Sequence, residues 1–284
     1  MSAAVSKQQI PSPEEKCQPK TVQLGHVRVS RFILGGNPFS GFSHQDRDRD
    51  RDMLDWYTMD RIKATYRAAE QAGVTAHLGR ADNFIVRALR EHWNEGGSII
   101  WIAQTCPEIG TAARGVRNAI NGGAKCCFVH GGEMDMRVAQ GTTEPVFEAV
   151  KLIKDAGLVA GVAGHRTDTI QWAADNLDVD FFMTSYYNPS DRREGAEHIP
   201  DSEETWYPEN REAMCALIQE LPAPAIHYKV FAAGRNDPQE AFERVADAYR
   251  PGDAVCVGVH TKDNPNMIED DVALLENALE QRGK

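Results

Sequence analysis

The chain reads as α/β, a (β/α)8 TIM barrel with a short N-terminal hairpin and a long loop after the first central strand. Three observations predict it. Apolar runs of strand length alternate with helix-period segments from residue 33 onward, glycine recurs where the helices end, and the count is eight strands, each followed by a helix. Such alternation requires right-handed crossovers and a parallel sheet, and eight units within 284 residues point to a closed barrel. No GxGxxG or GxxxxGKS/T follows the first strand, so an open nucleotide-binding sheet loses its usual support.

Residues 1–20, with Pro11, Pro13, Gln8 and Gln9 and no periodicity, read as a disordered tail; 21–284 is then a single barrel domain. Residues 21–32 alternate around Gly25 and predict the hairpin. Residues 33–39 form the first central strand, stopped by glycine and proline, with Asn37 as the first polar group at the mouth. The connection 40–58 carries alternating Asp and Arg from Asp46 to Asp52, expected as a solvated loop, while Phe39, Phe42, Trp56 and Tyr57 could close over a substrate. Helices are predicted at 60–72, 83–95, 108–121, 144–156, 167–176, 208–220, 238–249 and 264–281. Strands fall between them, ending near residues 77, 104, 130, 163, 185, 230 and 259.

A net charge of -11 argues against nucleic acid or an anionic membrane as a partner and favours a small polar substrate. The six cysteines are scattered without a CxxC pair, as in a reduced cytoplasmic protein, and no signal-like or membrane-spanning run is present. Oligomeric state is open.

Five of the nine histidines, His77, His130, His165, His227 and His260, fall at or near strand ends, which in a parallel barrel surround one mouth. Residues 128–135 read as a strand delivering His130, Glu133 and Asp135 into a loop. Neutral imidazole is the commonest transition-metal ligand, so one expectation is a divalent metal held by some of His77, His130, His165 and His227. Lys229 lies two residues from His227 and shares its face in a regular strand, with Tyr228 opposite. Buried there, Lys229 would serve as base or Schiff-base former, or else pair with Glu133, Asp135 or Asp82. Asn37, Arg80, Asp82, Gln104 and Tyr187 are candidate substrate-binding groups, suited to a substrate with several hydroxyls; each is equally a loop cap or turn former.

The segments 24–36, 129–131, 157–165, 225–235 and 258–273 together resemble, in order, the aldo-keto reductase superfamily. The resemblance implies the barrel and, for members, carbonyl reduction with a nicotinamide cofactor through an Asp, Tyr, Lys and His tetrad. This chain departs from that tetrad. The aspartate position falls near His77 or Leu78, the tyrosine near Asp82 or Asn83 and the lysine near Gln104, so that only His130 survives. Tyr228 stands where the family stacks a ring on nicotinamide, which keeps NAD as an alternative cofactor. Met267, Asp270 and Asp271 stand at the family's adenosine-phosphate clamp, where two acids disfavour NADP.

The leading expectation is an enzyme of non-redox proton transfer, of isomerase, epimerase or lyase type, on a carbohydrate-like carbonyl or polyol. His130 and Lys229 would be acid and base, assisted by Glu133, with a divalent metal as an aid. The alternatives are a divergent NAD-dependent oxidoreductase and a catalytically inactive sugar-binding or scaffold barrel.

Overall fold

Alternation along short strands decides which side chains fill the barrel and which face its jacket of helices. The computed structural model describes residues 17–197 and 204–284. It opens with an antiparallel hairpin of β1 (Thr21–Leu24) and β2 (Val27–Ser30), turned at Gly25 with φ +52°. There follow β3 (Phe32–Gly35), α1 (Arg47–Trp56), α2 (Met59–Gln71), β4 (Ala76–Arg80), α3 (Asn83–Asn94), β5 (Ile100–Gln104) and α4 (Ala112–Gly122). Next come β6 (Cys126–Val129), α5 (Gly131–Gln140), α6 (Glu144–Asp155), β7 (Val159–Gly164), α7 (Thr167–Asn176) and β8 (Phe181–Ser185). The chain ends with α8 (Pro208–Ile218), β9 (Ala225–Tyr228), α9 (Pro238–Ala248), β10 (Ala254–Gly258) and α10 (Met267–Gln281). Strands β3 to β10 are parallel, and β10 pairs with β3 to close an eight-stranded barrel. This is the fold expected from the sequence.

One parity of each strand fills the interior: Ile33, Ala76, Leu78, Ile102, Phe128, Ala163, Phe181, Met183, Ile226 and Cys256 form one buried cluster. The other parity, including Leu34, Trp101, Val129, Val162, Phe182 and Val257, packs under the helices. Leu24 and Val29 of the hairpin join the interior cluster, and Gly25 lies against Val159 and Asp180 at the start of β7 and β8. The hairpin therefore plugs the N-terminal end of the barrel and leaves the C-terminal end open.

Residues 1–16 of the expected tail lie outside the described residues. Lys20 is tied to the barrel, its N–H donating to Glu276 at 3.2 Å and its carbonyl accepting from Arg31 at 2.8 Å.

Two segments expected as loops are helices. The Asp/Arg run forms α1, because Asp46 caps it by accepting from the Arg49 N–H at 2.8 Å and Asp48 and Asp50 favour its first turn. Period-two charge gives no strand here, since strand pairing needs an apolar face, and Met53 and Trp56 supply a helical one instead. Helix α1 is pinned across the mouth: Asp52 meets Lys262 and His260, Arg49 meets Asp263, and the Trp56 indole donates to Thr261 at 3.1 Å. The aromatic cluster divides as well. Phe42 reaches the cavity, whereas Phe39 and Tyr57 are buried in the helix-side core. The second correction is α5, which begins directly after His130 and carries Glu133 and Asp135 on its first turns.

Candidate active site

At the open end, the strands and their connections enclose a cavity of about 410 Å³. Asn37, Arg80, Gln104, His130, His165, Tyr228 and Lys229, all singled out from the sequence, line it.

His130 ends β6 and caps α5. Its Nδ1 accepts from the Gly132 N–H at 3.1 Å, which fixes the tautomer with hydrogen on Nε2. Burial, then the nearby Arg192, hold its pKa well below the usual histidine value, so the ring is neutral. A neutral Nε2–H at a cavity wall is a hydrogen-bond donor for a carbonyl oxygen.

His165 follows β7. Its Nδ1 lies 2.8 Å from the Asp135 carboxylate, which the first turns of α5 deliver from behind. Burial pushes Asp135 up to about 7 and depresses His165 well below its ordinary value. With Nδ1–H held by Asp135, Nε2 is left as an acceptor. Gly131 makes room for this arrangement: a Cβ there would stand 2.9 Å from the His165 ring and 3.2 Å from the Tyr228 hydroxyl.

Lys229 corrects the strand reading. β9 ends at Tyr228, and Lys229 has φ +58°, so both side chains reach the cavity while His227 turns to the helices. The Lys229 Nζ lies 2.9 Å from His44 Nε2, and His44 Nδ1 lies 2.7 Å from Glu204. Burial is the main cause that lowers the Lys229 pKa to about 7, with Glu204 opposing and Arg192 adding to it. The Trp206 ring stands 5.6 Å from the amine. His44, Lys229, Ala232 and Ala233 are the non-glycine residues with positive φ among the described residues, and three of them, His44, Lys229 and Ala233, line this cavity. Left-handed backbone costs about 1–2 kcal/mol per residue, so strain is concentrated at this rim.

Other expected site residues lie elsewhere. His77 faces the helices, stacked on Phe39, with Nδ1 3.1 Å from the Leu34 carbonyl and its pKa lowered by burial to about 3. His227 is held by the Tyr186 hydroxyl at 2.9 Å and Asp253 at 3.3 Å. Strand parity therefore separates His77 and His227 from His130 and His165 by the thickness of the wall. Among the described residues no group of three or more His, Cys, Asp or Glu could hold a metal ion, so the four-histidine metal site is withdrawn. Glu133 is buried outside the cavity lining, 3.7 Å from Arg137, because the helix turns its side chain away. Asp82 caps α3 and holds Arg80, which also meets Glu108. Tyr187 is buried behind Trp206, its hydroxyl accepting from Arg211 at 3.2 Å and Asn236 at 3.0 Å.

Sequence reasoning missed His44, Glu204, Trp206 and Arg192, which come from the long connections after β3 and β8. It also missed the Asp135 contact with His165. A signal existed only for the last: in a helix beginning at Gly131, Asp135 falls one turn beyond the mouth.

The fold defines the class first. This is a closed (β/α)8 barrel, with a cavity lined by histidines and a lysine at its C-terminal end. No protein-family model matches the chain, and no curated protein sequence matches it. Among solved structures, a Pseudomonas aeruginosa protein assigned as an aldo-keto reductase is similar at 20% identity and TM-score 0.60, over 94% of this chain and 98% of that one. The holo form of aldo-keto reductase AKR11C1 from Bacillus halodurans is similar at 14% identity and TM-score 0.56, over 93% and 96%. A truncated 3-deoxy-D-arabino-heptulosonate 7-phosphate synthase from Thermotoga maritima is similar at 11% identity and TM-score 0.53, over 93% and 90%. What these proteins share with the chain is the barrel.

The nicotinamide dinucleotide implied by the resemblance fits these residues poorly. Tyr228 does stand in the cavity, but Lys262 is already neutralised by Asp52. Asp271 lines the cavity with a buried, unpartnered Oδ2, its pKa raised to about 7 by burial and Asp270, and it offers a phosphate no positive charge.

Proposed function

We infer that this barrel is an enzyme of non-redox proton transfer next to a carbonyl, acting on a small polar, carbohydrate-like substrate. The carrying observation is one cavity that holds a lysine with its pKa near 7 and a neutral histidine with hydrogen on Nε2. Lys229 removes a proton from the carbon beside the carbonyl, the carbon–hydrogen electron pair moves toward the oxygen, and His130 Nε2–H stabilises the developing negative charge. His165, whose Nε2 is left as an acceptor by Asp135, takes the proton of the neighbouring hydroxyl and passes it to the enolate oxygen, while protonated Lys229 returns its proton to the adjacent carbon, which completes an isomerisation. Asn37 and Gln104, which line the cavity, bind substrate hydroxyls. Glu133 and the metal have no part in this scheme.

The test is solvent deuterium incorporation, followed by proton NMR, into a panel of short hydroxy-aldehydes and hydroxy-ketones. Stereospecific exchange that rises as pH passes upward through about 7 supports the reading. A panel with no exchange at any pH would sink it.

The place of Tyr228 in the cavity favours a second reading, nicotinamide-dependent carbonyl reduction on the same barrel. A fluorescence titration with reduced nicotinamide dinucleotide decides between the two: saturable binding there would overturn the first.

A further inference from the structure

Arg192 has no part in the chemistry above, and its surroundings are unusual for a guanidinium. It lies in the connection between β8 and α8 and is only 4% exposed, whereas its neighbour Arg193 is exposed and paired with Asp191. Among the described residues Arg192 forms no ion pair. Its Nη1 donates to the Ala196 carbonyl at 3.2 Å, and its buried Nε has no partner. Holding a cation out of water without an anion is costly, and proteins keep such groups where a ligand supplies the missing charge.

The chain has cleared a path for this side chain. Arg192 crosses the first turn of the ten-residue helix α5, and a Cβ on Gly132 would collide first with the Ala196 carbonyl oxygen that Arg192 holds and would stand 2.9 Å from the Arg192 Cδ and 3.1 Å from its Nη1. It lines the cavity beside a helix N-terminus, so two independent sources of positive potential meet there. His130, His165 and Lys229 all feel this charge, since Arg192 lowers the pKa of each.

We propose that Arg192 receives a carboxylate of the substrate, so that the cavity takes a small hydroxylated carbonyl acid rather than a neutral sugar. The identification of the substrate class rests on the proton-transfer reading; the anion site itself does not. Arg192 acts on the buried Asp135 carboxyl but pairs with no acid among the described residues, so a single carboxylate matches it. A phosphate dianion would want more, yet Arg80 is occupied by Asp82 and Glu108, and Lys229 is uncharged above about pH 7.

The experiment is calorimetric titration of the full chain with gluconate and glycerate, with glucitol and glycerol as neutral counterparts and inorganic phosphate as a third arm, all at constant ionic strength. The expected result is saturable binding of the hydroxy acids but not the polyols. Affinity should fall by about tenfold or more in Arg192→Met and recover in part in Arg192→Lys. Equal binding of acid and polyol, no binding of the acids, or phosphate binding that excludes them would overturn the proposal. The acid-versus-polyol comparison uses unmodified protein, so it holds even where a variant misfolds. Carboxylate binding with no deuterium exchange would retire the proton-transfer reading and leave the anion site standing. Exchange that ignores both the acid group and Arg192→Met would do the reverse.

Discussion

His130 and His227 both sit at the C-terminal end of a barrel strand, and they have opposite fates. His130 presents a neutral Nε2–H to the cavity, with only Nδ1 engaged. His227, one parity step out of phase, is held on both ring nitrogens between Tyr186 and Asp253 beneath the helices. The cavity face keeps unengaged donors, a lysine near neutrality and left-handed backbone; on the helix face His227 has both nitrogens engaged, and rings stack, His77 on Phe39 and His227 on Tyr249. Residues on the first face should carry chemistry with little stability, and those on the second should carry stability with little chemistry.

Lys229→Met is the strongest test of that division. Removing the base should lower deuterium exchange by about 10³-fold, within the range for a positioned general base. It should also raise stability, and the sign follows from linkage. Burial lowers the Lys229 pKa from 10.5 to about 7 in the folded chain, so between those values the unfolded chain binds a proton that the folded one does not. Wild-type stability therefore falls as pH drops through this window. The advantage of the methionine variant should be complete below about pH 7 and vanish above about pH 10.5. Thermal melts across that range check it; a variant less stable than wild type at neutral pH would break the comparison.

His130→Ala should cost somewhat less, about 10²–10³-fold in the same exchange assay, the usual loss on deleting one donor to a developing oxyanion. Its cap on α5 is a single hydrogen bond to Gly132, so denaturant midpoints should report only about 1 kcal/mol of lost stability.

Strand and helix order, barrel closure and the plugging hairpin were legible in the sequence because periodicity and glycine placement report them directly. The mouth was legible too, since His130, His165, Lys229, Arg80 and Gln104 all reach it. What failed was parity. His77 and His227 were grouped with His130 by their nearness to strand ends, although Ala76, Leu78, Ile226 and Tyr228 around them already mark the inward positions. Lys229 could not be placed by any period, since its direction is set by a positive φ after the strand has ended. Arg192 and Arg193 are adjacent in a polar loop, and composition alone does not say which of them turns inward.

The helix-facing histidine supplies the reciprocal test. His227→Ala opens a cavity and strips partners from the buried Tyr186 hydroxyl and from Asp253, so urea unfolding should show a loss of about 2–4 kcal/mol. Exchange per folded molecule should stay within about twofold, because no atom of His227 reaches the cavity. A drop comparable to that of His130→Ala would mean that the two faces are not separate.

The smallest effect belongs to α1, which covers the mouth and lines it with Arg49 and Met53. Asp46→Ala removes the side chain that accepts from the Arg49 N–H, a capping loss of about 1 kcal/mol that falls on the first turn. The far end of the helix stays fixed, because Trp56 still donates to Thr261 and Tyr57 still donates to the Val259 carbonyl. Fraying should therefore be local, visible as faster amide hydrogen exchange over residues 46–50. His44 lies just before this turn and against Lys229, so deuterium exchange into substrate should fall about twofold to threefold rather than a thousandfold. If Asp46→Ala instead matched Lys229→Met, the helix would be part of the catalytic apparatus rather than its cover.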